Sequence, residues 1–204
     1  MITIIDYGVG NVAAIANIYK RLNIPVTLAR DAAAVKDATK VVLPGVGAFD
    51  WAMHRLNQSG MREPLDQRVA GGACDVIGIC VGMQMLAERS DEGQLPGLGW
   101  VPGEVKRFDE SRFSTRTHLP HMGWNDVVPR PGEPLFKGME EQARFYFLHS
   151  YYFAPSDPQH VLSHADYGGE FACGVRCGRV SGVQFHPEKS HQWGIALLKN
   201  FAEI

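Results

Sequence analysis

The chain opens on a near-continuous apolar run, Ile2-Thr3-Ile4-Ile5. Apolarity without alternation predicts a strand covered on both faces, as in a parallel sheet. The turn Asp6-Tyr7-Gly8-Val9-Gly10-Asn11 follows. Val12, Ile15, Ala16, Tyr19 and Leu22 then recur at helical spacing, which predicts a helix to about Asn23. Pro25 to Leu28 reads as a second strand. Lys40 to Leu43 reads as a third, stopped by Pro44-Gly45-Val46-Gly47. Helical stretches are expected around Phe49 to Leu56, Met61 to Val69 and Gly82 to Glu88. Between the last two, Asp75-Val76-Ile77-Gly78-Ile79 is a fourth strand that runs straight into Cys80. Strands alternating with helices across short connections predict a parallel α/β sheet with right-handed crossovers.

The second half has a different rhythm. Gly, Pro and aromatic residues punctuate short strand-like runs at Gly103 to Lys106, Gly123 to Val128, Arg144 to Leu148, His160 to Ala165 and Phe171 to Val175. Val180 to Phe185 is one more strand. His191 to Phe201 closes the chain as a helix, with Trp193, Ala196, Leu197 and Asn200 on related faces. There is no internal repeat and no linker, so one domain over 1–204 is expected, extended by antiparallel strands.

Composition narrows the function classes. A formal net charge of -2 supplies no large basic field for nucleic acid or an anionic membrane. No apolar run approaches the roughly 20 residues that span a bilayer. The opening residues lack the basic start and long apolar core of a signal peptide, so a cytoplasmic location is expected. In that compartment the four cysteines, Cys74, Cys80, Cys173 and Cys177, stay reduced. Cys173 and Cys177 have no second pair and no histidine at finger-like spacing, which argues against structural zinc. Neither G-x-G-x-x-G nor a Gly-Lys-Ser/Thr phosphate loop occurs, so no cofactor is expected.

The chemistry concentrates at two places. Gly78-Ile79-Cys80-Val81-Gly82 is the cysteine form of the nucleophile elbow, a sharp strand-to-helix turn with glycines on both sides. The helix N-terminus behind the thiol favours its thiolate, and the free N–H groups there suit a developing oxyanion. Alone, the motif fits a buried structural cysteine equally well. A cysteine nucleophile also needs a base and an orienting group. Gln184-Phe185-His186-Pro187-Glu188 supplies a compact histidine–carboxylate pair at a strand end, with Pro187 bending the chain between them. The other histidines (His54, His118, His121, His149, His160, His164 and His191) read as structural or surface residues.

Together, Gly78-Ile79-Cys80-Val81-Gly82-Met83-Gln84 and Gln184-Phe185-His186-Pro187-Glu188-Lys189-Ser190 resemble the two signature motifs of the class I, triad-type glutamine amidotransferases. Three more segments narrow the likeness: Asp6 to Asn11, Leu43-Pro44-Gly45-Val46-Gly47-Ala48-Phe49, and Pro120-His121-Met122-Gly123-Trp124-Asn125. The set is similar to the branch of glutaminase subunits that serve imidazole glycerol phosphate synthase in histidine biosynthesis, over essentially Ile2 to Phe201. Val12 and Val81 stand where leucine is expected, and Asp75 where proline is common; none touches the chemistry.

The resemblance implies a flavodoxin-like, three-layer α/β fold with a central, mostly parallel sheet and added antiparallel strands. It implies Cys80, His186 and Glu188 as catalytic residues. Glutamine would be held by Gly45, Val46, Gly47, Val81, Gln84, Glu92, Ser150 and Tyr151. Backbone N–H groups of Val81 and of the Pro44 to Gly47 turn would face the oxyanion, and the Gly45-Val46 peptide would serve as a switch. The partner would be a cyclase subunit, forming a heterodimer, with Asn11, Trp124 and Lys189 at its docking face.

Two alternatives remain open on sequence. Arg144 to Tyr152 and Lys189 to Phe201 also look like a side branch whose partners aminate surface-polysaccharide sugars. A catalytically silent binding subunit could share the fold; the presence of all three triad residues argues against it.

Overall fold

The computed structural model describes residues 1–113 and 117–204. The strands are β1 (Ile2–Ile5), β2 (Val26–Ala29), β3 (Lys40–Gly45), β4 (Asp75–Cys80), β5 (Arg89–Ser90), β6 (Gly103–Arg107), β7 (His121–Asp126), β8 (Val128–Pro129), β9 (Arg144–His149), β10 (Tyr151–Pro155), β11 (Val161–Asp166), β12 (Glu170–Cys177) and β13 (Val180–Val183). The helices are α1 (Val12–Arg21), α2 (Ala32–Val35), α3 (Phe49–Gln58), α4 (Arg62–Ala70), α5 (Val81–Gln84) and α6 (His191–Glu203).

The main sheet runs β2-β1-β3-β4-β13-β12-β10-β6-β5, with β11 and β8 continuing from β12. From β2 to β13 the neighbours are parallel. Beyond β13 the pairings through β12, β10 and β6 turn antiparallel. The apolar runs behave as expected of double-sided burial: Ile2, Ile4, Ile5, Val41, Val42, Leu43, Val76 and Ile77 are all buried.

The chain reverses direction across the sheet at β1, with β2 on one side and β3 on the other. With right-handed crossovers, α1 covers one face, and α2, α3 and α4 cover the other. α6 returns to pack against α1, and α2 packs against α4. Ligands of such sheets bind beyond the carboxyl ends of the strands. Here those ends deliver Gly45, Cys80 and, just past β13, His186 to one edge. A separate two-stranded sheet, β7 with β9, lies beside that edge, its register pairing His121 with His149 and Trp124 with Tyr146.

Most expected elements occur within a residue or two of their expected bounds. The expected helix from Gly82 to Glu88 is the main exception, because only Val81–Gln84 is helical. Beyond it the carbonyls are taken by a loop instead of the next turn. Leu98 N–H donates to Met85 O, Val101 N–H to Leu86 O, Gly99 N–H to Ala87 O and Gly97 N–H to Glu88 O. β10, β5 and the short α2 were not expected from the pattern.

Candidate active site

Cys80 ends β4 and begins α5 with φ 55° and ψ −114°, a left-handed backbone that a side-chain-bearing residue adopts only under constraint. The constraint is visible in its neighbours. A Cβ on Gly78 would lie 2.5 Å from Gly82 O, and one on Gly82 would lie 2.0 Å from Leu43 O. The turn therefore closes only with glycine on both sides of the cysteine. A Cβ on Gly45 would lie 2.3 Å from Gly82 N, so the end of β3 rests directly on the first turn of α5.

His186 follows β13 and is held from both sides. Its N–H donates to Tyr146 O at 2.9 Å, and its carbonyl accepts from Ser190 Oγ at 2.6 Å. Ser190 Oγ in turn accepts from Tyr146 N–H at 3.0 Å, which ties the His-Pro-Glu segment to β9. His186 Nδ1 lies 2.9 Å from Glu188 Oε1, with both side chains buried. Cys80 lines the same cavity as the imidazole. Burial is the largest single influence on His186 and opposes its charge. The hydrogen bonds and charges of Cys80 and Glu188 together outweigh it and hold the imidazole up to about 10.

These groups open into a cavity of about 480 Å³. Val46, Gly47, Cys80, Val81, Gln84, Glu92, Ser150, Tyr151, His186 and Lys189 are among the residues that line it. All the expected glutamine-holding residues reach this wall except Gly45, which sits behind it against α5. Gln84 donates both amide hydrogens, to Tyr151 O at 3.1 Å and to Gln184 Oε1 at 3.0 Å. Its own oxygen is left as the acceptor. Glu92 caps α3 as well as lining the cavity: its Oε2 accepts from Phe49 N–H at 2.9 Å, where the N-cap Ala48 has no side-chain acceptor.

Of the three residues expected at a docking face, Lys189 alone is among those lining the cavity. Asn11 is exposed and caps α1 through its side chain. Trp124 is 41% exposed and meets Tyr146 and His191 edge-on. Lys189 is exposed, with its ammonium 5.7 Å from the Tyr146 ring centre. Val46, Met122 and Leu148 are further exposed apolar residues at this edge of the fold. Among the described residues no helix is long and apolar enough to cross a membrane.

A family model described as "Glutamine amidotransferase class-I" matches residues 3–204. The chain belongs to the class-I glutamine amidotransferases. Among curated relatives of this amidotransferase, the "Imidazole glycerol phosphate synthase subunit HisH" of Bdellovibrio bacteriovorus is 59% identical over 204 residues, the whole of both chains. A protein of the same name from Leptospira interrogans is 45% identical, again over the whole of both. A solved glutamine amidotransferase superposes with a TM-score of 0.76 at 19% identity, covering 100% of this chain and 99% of its own. PurLQS from Thermotoga maritima gives 0.71 at 18%, covering 99% and 97%. At those identities the likeness is one of fold.

Some residues at the amidotransferase site escaped the sequence reading. Tyr7 donates to Pro44 O at 2.6 Å and anchors the turn that faces Cys80; burial pushes its hydroxyl far up, so it stays a neutral donor. His149, read as merely structural, lines the cavity. Gln184 places its amide nitrogen 3.8 Å from Cys80 Sγ. Its position two residues before His186, the period of an extended strand, is a signal that would have found it.

Proposed function

We propose that this chain is the glutamine-hydrolysing subunit of an imidazole glycerol phosphate synthase, one domain that works in the cytoplasm as a heterodimer with a cyclase. The observation that carries the glutaminase reading is the strained Cys80 turn that lines one cavity together with a buried His186–Glu188 pair. Identity of 59% over the full length of a histidine-pathway relative supports the choice of partner.

The chemistry follows from the groups present. Cys80 thiolate attacks the side-chain carboxamide carbon of glutamine, and the carbonyl electrons move onto oxygen. Backbone N–H groups of Val81 and the Gly45-Val46-Gly47 turn receive that charge; one such donor is worth about 2.7–4 kcal/mol in a hydrolase. His186 gives its proton to the leaving nitrogen, and ammonia departs from a glutamyl thioester. His186 then takes a proton from water, whose oxygen displaces the sulfur and releases glutamate. Glu188 orients the imidazole and stabilises its charge. Gln84, Glu92, Ser150 and Tyr151 hold the amino-acid end.

Ammonia must reach the acceptor before bulk water captures it. The exposed apolar residues Val46, Met122, Trp124 and Leu148, with Asn11 and Lys189, supply the face on which the cyclase seats and seals the cavity. Glutamate release should be measured for the chain alone, and with the cyclase and its nucleotide ligand, with Cys80→Ala as blank. Strong activation by the liganded cyclase is expected. Activity indifferent to the cyclase would reassign the acceptor, to a sugar first.

A further inference from the structure

Gln184 is fully buried, and the hydrolysis written above has no use for it. Its Nε2 lies 3.8 Å from Cys80 Sγ, in N–H···S contact. An amide has two ends of like shape and opposite chemistry, so the question is which end meets the sulfur.

The surrounding bonds answer it. Tyr151 O accepts from His149 Nδ1 at 2.8 Å and from Gln84 at 3.1 Å. A carbonyl only accepts, so Gln84 must present its NH₂ there. The second hydrogen of that NH₂ points to the Gln184 atom 3.0 Å away, which must then be Oε1. Nε2 of Gln184 is left for the sulfur. The same logic sets the histidines. With Nδ1 protonated, His149 Nε2 accepts from His121 Nδ1 at 2.9 Å, and His121 Nε2 accepts from Asn125 Nδ2 at 3.2 Å. Every donor in this network, from β7 to the nucleophile, has one assignment.

We propose that Gln184 is a further catalytic residue: a neutral N–H donor to the Cys80 sulfur, locked in that orientation by Gln84 and the Tyr151 carbonyl. This deepens the reading of Cys80 as nucleophile and rests on it. His186 must surrender its proton to the departing ammonia and so gives the sulfur intermittent support. An amide does not titrate, so it supports the thiolate both before attack and as the leaving group when water cleaves the thioester. The titratable and charged groups around the sulfur are His186 with Glu188 behind it, His149, Glu92 and Lys189 of the same cavity lining, and Tyr7 from the turn after β1. All are unchanged in the variants below, apart from the amide itself and its lock.

The test is alkylation of Cys80 by iodoacetamide in the intact protein, across pH, read by mass on the peptide that carries it. For Gln184→Met the rate at neutral pH is expected to fall roughly tenfold, the scale of a lost hydrogen bond to an ionised group. At alkaline pH, where the thiol ionises unaided, the rate should be native. An unchanged rate at every pH overturns the proposal. So does an equal fall at every pH, which would report lost access. Gln84→Met probes the lock while leaving Gln184 in place and adding no charge. Without a donor facing Oε1 the Gln184 amide is free to turn over, so the neutral-pH rate should again fall, and a native rate overturns the proposal. Neither glutamine nor a partner enters the assay. If Cys80 of the unaltered protein alkylates no faster than the half-buried Cys177 at neutral pH, the nucleophile reading itself fails.

Discussion

Gly45 and Gly82 touch through their backbones: a Cβ on Gly45 would lie 2.3 Å from Gly82 N and 2.8 Å from Val81 C. The turn proposed to face the oxyanion and the nucleophile elbow are therefore set against each other by the absence of one methyl group. Gly45→Ala should displace the end of β3, because backbone atoms cannot swing aside as a side chain does. The expected cost is about 1–3 kcal/mol of stability. The glutaminase kcat should fall further, by on the order of 10²-fold, the effect of losing one oxyanion donor. Denaturant unfolding and steady-state kinetics read the two effects separately; native kcat in Gly45→Ala would separate the turn from the chemistry.

The 2.9 Å contact between His186 and Glu188 gives the second expectation. Glu188→Gln keeps the shape and removes the charge. By analogy with the serine-protease triad, kcat should fall roughly 10²- to 10⁴-fold, with KM for glutamine little changed. The pH profile should move with it. A histidine whose value is raised keeps its proton below that value and loses it as pH rises through it. The alkaline limb of kcat/KM therefore belongs toward about 10 in the native protein. In Glu188→Gln it should retreat toward the free imidazole, near 6.5. A limb already near 6.5 in the native protein would refute the thiolate–imidazolium pair.

Much of this site can be read from the chain, and the remainder has a physical reason for being hidden. Cys80 announces itself because a sharp strand-to-helix turn demands Gly78 and Gly82. The buried parallel strands show as uninterrupted apolar runs. β10 is hidden because Tyr151 to Pro155 follows β9 with only Ser150 between them, and one apolar stretch serves two sheets. The helix after Cys80 is cut short by a loop that the sequence places ten or more residues later, at 97–101. The network on Tyr151 O joins residues 84, 125 and 184, and no local pattern can place donors that meet only through the fold.

His121 and His149 carry the acid expectation. Burial lowers His121 to about 4; burial, then the neighbouring His121, lowers His149 to about 3. The unfolded chain binds protons on both near 6.5, so their neutral burial favours the fold above that pH. This contribution is lost as pH falls from 6.5 toward 4 and 3. For His121 the loss by pH 4 is on the order of 3 kcal/mol. His121→Phe preserves a ring between Phe147 and Tyr167, which stack on His121 at 4.6 and 3.9 Å. Its unfolding free energy should depend less steeply on pH across that window, by about one proton. Equal slopes would mean that the pair does not stay neutral in the fold.

Trp124 gives the last expectation, because β7 has two faces with separate duties. His121 and Asn125 point inward to the histidine network, while Met122, Trp124 and Asp126 alternate outward and are exposed. Trp124 stands against Tyr146 with ring centres 6.3 Å apart at 84°, so its ring is already held in the position from which it would anchor a partner. Such preorganised aromatics dominate interfaces, and truncating one typically costs 2 kcal/mol or more. Trp124→Ala should therefore weaken cyclase binding at least about thirtyfold, while leaving the neutral-pH alkylation rate of Cys80 unaltered. Titration of the cyclase by calorimetry, beside the alkylation assay, separates the two. Full affinity in Trp124→Ala would move the docking face away from this edge of the sheet. Slowed alkylation would mean that Trp124 acts through the site and not through the partner.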